Sequence, residues 1–296
     1  MRTLSIDIET YSPISLAKAG VYKYCNHPDF QILLFSYAID SCTVRTVDLA
    51  SGEQLPAKIL RALDDPAVVK WAYNAAFERT CLSAYLGRRL DPAGWRCSMV
   101  WAATLGLPLS LKDVGKVLNL DAQKMDEGKD LIKHFCVPDD NSQRRLPSSD
   151  PAGWRLFKSY NARDVQVETA IRHKLANFPV PEYVWEQYEV DQRINDRGIR
   201  IDTTLAANAI TIDEKHRAQA LARAQELTGL DNPASPLQLQ EWLKQHGCPI
   251  ESMAKESVDD ALVSASGEVK EALELRQELS RSSVAKYRKM MDAACI

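Results

Sequence analysis

The sequence has few of the features that mark membrane, secreted or zinc-binding proteins. No apolar run approaches the roughly 20 residues that a membrane span needs, and the N-terminus lacks a basic and apolar signal segment. The seven cysteines are scattered without a Cys-x-x-Cys pair and the five histidines are dispersed, so neither a disulfide framework nor a zinc site is supported. The net charge of -3 gives no overall basic surface for nucleic acid. We therefore expect a cytoplasmic globular protein that binds any nucleic-acid strand only locally.

Strand and helix signals alternate in the first part of the chain. Period-two apolar patterns predict strands in five segments, 4–10, 31–39, 43–49, 67–72 and 95–97. Helical patterns lie between and after them, and the last is a long helix over about 152–176. The sequence therefore predicts an α/β fold, with a mixed sheet flanked by helices.

The second part of the chain has a different character. Beyond residue 177 nearly every segment is helical, apart from a short strand predicted at 198–202. Two prolines just after residue 177 favour a boundary there. We predict two domains, one over 1–177 and a mainly helical one over 178–296.

Two carboxylates lie two residues apart in the first predicted strand. Because side chains alternate along a strand, Asp7 and Glu9 share one face while the apolar residues share the other. Their repulsion weakens the strand unless a cation lies between them, and carboxylate oxygens suit hard ions such as Mg²⁺ and Mn²⁺. The alternative is a half-exposed strand with an acidic face in solvent.

A third carboxylate, Glu78, lies where the fourth predicted strand runs into a helix. Strand ends of α/β sheets are common places for functional sites. The alternative is structural, because Asn74 is a good N-cap residue and Glu78, in the first turns, complements the helix dipole.

A fourth carboxylate interrupts an apolar face of the long helix. The face consists of residues spaced i, i+3, i+7, i+10 and i+14: Phe157, Tyr160, Asp164, Val167 and Ile171. A buried carboxylate such as Asp164 is costly unless it is paired or binds a metal. Tyr160 lies one turn earlier, where its phenol could orient an attacking water. The alternative is an aspartate paired with an arginine such as Arg163 or Arg155.

Together these segments resemble the motifs of the proofreading 3′→5′ exonucleases with the Asp-Glu-Asp-Asp signature, in the subgroup whose third motif is Tyr-x-x-x-Asp. The corresponding segments are Asp-Ile-Glu-Thr at 7–10, Asn-Ala-Ala-Phe-Glu at 74–78 and Tyr-Asn-Ala-Arg-Asp at 160–164. The resemblance covers residues 1 to about 177 and implies a ribonuclease H-like fold. The family usually has aspartate where this chain has Glu78. Glutamate is longer by one methylene group, so its carboxylate can still reach a metal, but the same coordination geometry is not guaranteed.

The resemblance implies two-metal hydrolysis of a terminal phosphodiester at a single-stranded or frayed DNA 3′ end. The implied ligands of two divalent ions, Mg²⁺ or Mn²⁺, are Asp7, Glu9, Glu78 and Asp164. Tyr160 and Glu9 would position the attacking water. The implied contacts with the terminal nucleotide are Thr10, Asn74 and Phe77.

The second part of the chain resembles family A DNA polymerases of the phage type. Residues 191–202 are similar to the segment that leaves the exonuclease domain, and residues 273–287 are similar to the thumb helices. The stretch 276–289 holds five basic residues, Arg281 and Lys286 among them, and one acidic residue. It could follow a phosphate backbone, or it could be a solvated helix face.

No segment resembles the polymerase palm and fingers, so we expect no polymerase activity from this chain alone; a palm and fingers portion outside it is a possible partner. Two alternatives to DNA proofreading stay open. One is an RNA 3′-end-trimming exonuclease of the same superfamily. The other is a non-catalytic module that binds a primer-template.

Overall fold

The computed structural model describes residues 1–120, 128–140 and 142–295. They pack as two compact units, one formed chiefly by Met1–Ile199 and the other by Arg200–Ala294. None of the described helices is both long enough and apolar enough to cross a lipid bilayer.

A mixed sheet lies at the centre of the first unit. Its five strands, counted over the described residues, are β1 (Thr3–Tyr11), β2 (Gln31–Ile39), β3 (Arg45–Asp48), β4 (Val69–Ala72) and β5 (Trp95–Cys97). The strand order is β3-β2-β1-β4-β5, so β1 is central. β2 runs antiparallel to β1 and β3, whereas β4 is parallel to β1 and β5. This arrangement confirms the predicted α/β, ribonuclease H-like fold class.

Helices cover both faces of this sheet. In chain order they are α1 (Leu16–Cys25), α2 (Ala57–Asp64), α3 (Ala75–Tyr85), α4 (Ser98–Thr104), α5 (Leu111–Val117), α6 (Gly128–Cys136), α7 (Pro151–Leu175) and α8 (Glu182–Arg197). Leu4, Ile6 and Ile8 of β1 belong to an apolar cluster that includes buried residues of α2 and α3. The opposite face of β1 meets α7, where Asn161 and Arg172 bond to its polar side chains. The strand is therefore covered on both sides.

The pairing of β1 with β2 changes register next to the acidic residues. Glu9 pairs with Leu34, and the following Thr10 pairs with Ile32, so Leu33 is an extra residue in β2. Leu33 and Leu34, although consecutive, both belong to the apolar cluster that contains Tyr160. Such a β-bulge re-aims side chains locally and is common near functional sites.

Helix α8 is tied to the first unit by a buried ion pair. The Arg79 guanidinium on α3 makes two hydrogen bonds to the Asp196 carboxylate, at 2.7 and 2.8 Å. The Tyr22 hydroxyl donates a third at 2.8 Å. Trp185 of the same helix packs into the apolar cluster that contains Val167. Helix α8 therefore packs as part of the first unit.

The second unit is helical throughout its described secondary structure. Its helices are α9 (Thr203–Thr228), α10 (Pro236–Gln245), α11 (Lys255–Ser264), α12 (Gly267–Ser280) and α13 (Ala285–Ala293). Its main core joins Trp242 and Leu243 of α10, Val258 of α11 and Leu273 of α12.

The strand predicted at 198–202 is wrong. These residues form the unpaired connection between α8 and α9, and Ile199 is exposed. A strand needs a neighbouring strand to satisfy its backbone groups, and Asp202 instead caps α9 by accepting a hydrogen bond from the Leu205 backbone N–H at 2.9 Å.

Candidate active site

The acidic face of β1 is turned towards α7. Glu9 is buried and Asp7 is half-buried, so the alternative of an acidic face in solvent is wrong. On α7, Asp164 is only 4% exposed. The Asn161 side chain, one turn earlier, donates a hydrogen bond from Nδ2 to Oδ2 of Asp7 at 2.5 Å. The first and third motifs therefore meet across the strand–helix interface.

Glu78 brings a carboxylate from α3 to the same place. It is 4% exposed, and Oε2 has no hydrogen-bond partner within the described part of the chain. Burial, followed by the nearby charge of Asp7, raises the pKa of Glu78 well above its usual value. A carboxylate that complements a helix dipole has its charged form stabilised, whereas burial and Asp7 disfavour the charged form of Glu78.

Asn74 does not cap α3 as the sequence suggested. It occupies the position before the helix, but its side chain makes no capping hydrogen bond and is exposed. Its backbone is left-handed, with φ 75° and ψ 46°. Few residues other than glycine adopt this conformation, and asparagine is among those that tolerate it best.

Tyr160 is held tightly beside the acids. It is 1% exposed, and its hydroxyl is hydrogen-bonded to Asp164. Burial, followed by the charges of Asp164, Glu9 and Asp7, raises the pKa of Tyr160, so the phenol stays neutral and can donate. Its ring stacks on Phe157, with centroids 6.2 Å apart and ring planes at 10°.

An apolar cleft of about 500 Å³ opens next to Glu9. Thr10 and Phe77 line it, as does Tyr24, whose hydroxyl lies 2.9 Å from the Thr10 hydroxyl. Ile132 and Cys136 of α6 lie on its wall as well. The cleft thus unites Glu9 with two of the three residues predicted to contact a terminal nucleotide. Asn74 is not among the described residues that line it.

The two predicted backbone-binding residues lie in the second unit. Arg281 follows the end of α12 and lines a cleft of about 330 Å³ together with Arg217 and Arg288. Lys286 lies on α13 and is exposed. Their roles stay predictions.

Sequence reasoning missed a further buried carboxylate, Glu168, one turn beyond Asp164. It forms an ion pair with Arg172 at 2.8 Å and accepts a hydrogen bond from the Ser98 hydroxyl. Arg172 also donates to the Ser5 hydroxyl of β1 at 2.5 Å. The i, i+4 spacing of Glu168 and Arg172 on a helix was the signal that could have identified the pair. Asn161 was also missed, although it lies within the third motif.

The donor chemistry of the site fits a divalent cation. Within residues 1–120, 128–140 and 142–295, no three Asp, Glu, His or Cys side chains already form a cage for a metal ion. The acids nevertheless come from β1, α3 and α7 to one neighbourhood. There, burial and the negative charge of Asp7 disfavour the ionised form of Glu78. A cation would relieve this repulsion and engage the unsatisfied Oε2 of Glu78.

Sequence comparison relates the chain to a phage DNA polymerase. No family model matches the sequence. The chain is 47% identical over 302 residues to a DNA polymerase of Bacillus phage SP02, an alignment that covers 100% of the chain and 47% of that protein. The chain therefore spans about half the length of this relative.

Two solved structures are similar to the chain at low sequence identity. The POL domain of Pol1 from M. smegmatis, in complex with DNA primer-template and dNTP, matches 94% of the chain and 44% of that domain, with a TM-score of 0.60 and 14% identity. RNase D of Escherichia coli matches 83% of the chain and 55% of its own, with a TM-score of 0.44 and 12% identity. The phage homologue confirms the polymerase relationship suggested by the motifs.

Proposed function

We propose that this chain, a homologue of a phage DNA polymerase, is a metal-dependent exonuclease that removes nucleotides from the 3′ end of DNA. The observation that carries the proposal is the convergence of three motifs: Asn161 of α7 bonds to Asp7 of β1, the charge of Asp7 raises the pKa of Glu78 on α3, and the charges of Asp7 and Glu9 act on Tyr160 of α7. We propose Asp7, Glu9, Glu78 and Asp164 as the ligands of two divalent ions, Mg²⁺ or Mn²⁺. When bound, such ions activate water and stabilise the leaving 3′ oxyanion.

The remaining chemistry is positioning by the protein's own groups. Tyr160, kept neutral by its surroundings, donates to Asp164 and can still accept a hydrogen bond from the attacking water at its oxygen. Glu9 borders the apolar cleft, so a nucleotide held there presents its phosphate towards the acids. Phe77 and Thr10 are the proposed contacts for its base and sugar, and Asn74 is proposed to approach from the start of α3. A frayed or single-stranded end fits this cleft better than a paired end.

We also propose a domain organisation for the chain. Residues 1–177 are the proposed exonuclease domain, and residues 178–296 are the proposed linker and thumb-like domain. Arg281 and Lys286 are the proposed contacts with a DNA backbone, which is supported by the cleft that Arg281 shares with two further arginines. The palm and fingers of a polymerase are the proposed partner.

The test is digestion of a 5′-labelled single-stranded DNA oligonucleotide with Mg²⁺ or Mn²⁺, with EDTA as a control. We expect a ladder that shortens from the 3′ end, that disappears with EDTA, and that is absent for Asp7→Ala and Asp164→Ala. Full activity in either variant would contradict the metal assignment.

The same assay separates the alternatives. Faster shortening of an RNA oligonucleotide than of DNA would favour the RNA-trimming enzyme. Binding of a primer-template without any product, with either metal, would favour the non-catalytic module and would point first to Glu78 as the reason. Tyr160→Phe should slow cleavage while leaving metal affinity unchanged, and an unchanged rate would remove the phenol from the mechanism.

A further inference from the structure

Asn161 places a neutral amide against one of the proposed metal ligands. Its side chain is fully buried on α7, and Nδ2 donates to Oδ2 of Asp7 at 2.5 Å. An ionised carboxylate only accepts hydrogen bonds, so the amide must face Asp7 with its nitrogen. The orientation of both groups is thereby fixed.

Asparagine is an energetically unfavourable residue at position 161. Its Oδ1 is buried and has no hydrogen-bond partner in the described chain. Leaving such an acceptor unsatisfied costs roughly 1–3 kcal/mol, and asparagine also forms helices less readily than leucine. Leucine, which is similar in size, would fill the same space within α7 without the penalty. Packing alone therefore does not account for Asn161.

The neighbouring carboxylate, Glu168, shows how a buried carboxylate with a purely structural role is stabilised. Glu168 is neutralised by Arg172, an ion pair that leaves little net charge. The Asn161 amide, in contrast, is a neutral donor, which holds the Asp7 carboxylate in place without adding a positive charge of its own. A neutral donor suits a site that must attract a cation, because it does not compete with that cation.

We propose that Asn161 is a positioning residue that orients the Asp7 carboxylate for metal binding. This inference rests on the proposed function, since it concerns a ligand of the proposed metal site. The residues that position metal ligands typically change metal affinity by 10–100-fold when they are substituted. Asn161 is thus expected to act on metal affinity and on turnover, with little effect on the affinity for DNA.

The experiment measures Mn²⁺ binding directly, in the absence of DNA, from the electron paramagnetic resonance signal of the free ion. Wild type, Asn161→Leu and Asn161→Ser are compared, the serine variant serving in case leucine prevents folding. The control is Gln192→Leu, which removes another buried amide, one bonded to Arg79. We expect affinity to fall about 10–100-fold in both Asn161 variants and to be unchanged in the control.

A double-mutant cycle with Asp7→Ala isolates the contact. If Asn161 acts through Asp7, Asn161→Leu should weaken Mn²⁺ binding no further in the Asp7→Ala background. Unchanged affinity in a folded Asn161 variant would overturn the inference, as would an equal loss in Gln192→Leu. Failure of the wild type itself to bind Mn²⁺ would overturn the proposed function, and the inference with it.

Discussion

Replacing Gly128 with alanine tests whether the close approach of α6 holds Tyr160 in place. A Cβ atom at Gly128 would lie 2.1 Å from Cε2 and 2.6 Å from Cζ of the Tyr160 ring, whereas real Cβ contacts essentially never fall below 3.0 Å. The ring would therefore have to move by about 1 Å, which is the shortfall between these distances. It has little room to do so, because it is buried and stacked on Phe157.

Two opposing effects determine whether Gly128→Ala raises or lowers the free energy of unfolding. Alanine is a better helix former than glycine by about 1 kcal/mol in a helix interior. Overpacking a buried site typically costs about 1–3 kcal/mol. We therefore expect Gly128→Ala to lower the free energy of unfolding, as measured in urea. Displacing a positioning group by about 1 Å can lower the rate about 10²-fold, which a labelled-oligonucleotide assay detects.

The control is the same substitution in a Tyr160→Ala background. Without the ring the clash is absent, so alanine at position 128 should be neutral or slightly stabilising there. An equal loss of stability in both backgrounds, or wild-type stability and rate for Gly128→Ala alone, would refute the reasoning.

Three further predictions concern the first unit. Arg79→Met should lower the free energy of unfolding by about 3–5 kcal/mol in urea, because it leaves the buried Asp196 carboxylate without its cation; a loss below 1 kcal/mol would contradict this. Burial raises the pKa of Asp196, but hydrogen bonds from Arg79 and Tyr22 lower it by more, so the net shift is downward. The stability from this ion pair is therefore present above the unfolded pKa of about 3.9 and is lost as the pH falls through the folded value. The difference in urea midpoint between wild type and Asp196→Asn should accordingly shrink at low pH, and a constant difference would oppose it. Finally, because α8 packs within the first unit, a chain of residues 1–199 should unfold at a higher urea concentration than one of residues 1–177; equal midpoints would contradict the role of α8.

Local patterns predicted most of the sheet and the long helix of the first unit. The apolar stripe of α7 is buried as predicted, and Asp164 is buried with it. The prediction of a strand at 198–202 failed because this segment has no neighbouring strand with which to pair. Period-two alternation and helical spacing report which side chains share a face, but not which element covers that face.

The parts of the site that escaped prediction are contacts between distant segments. Asn161 meets Asp7 across 154 positions of the chain, and no periodicity links the two residues. The left-handed backbone of Asn74 is decided by the path from β4 into α3, whereas its residue type suggested only a cap. The packing of Gly128 on Tyr160 likewise arises from the approach of two helices.

The extra residue in β2 has a consequence for changes in the length of this strand. Deleting Leu33 would give a regular ladder with β1, but it would remove one of two consecutive leucines from the cluster beneath Tyr160. A one-residue insertion or deletion between Phe35 and Ile39 is worse, because it turns every following side chain to the opposite face. Loss of the residue at position 33 should therefore disturb the pairing with β1 less than loss of a residue a few positions later.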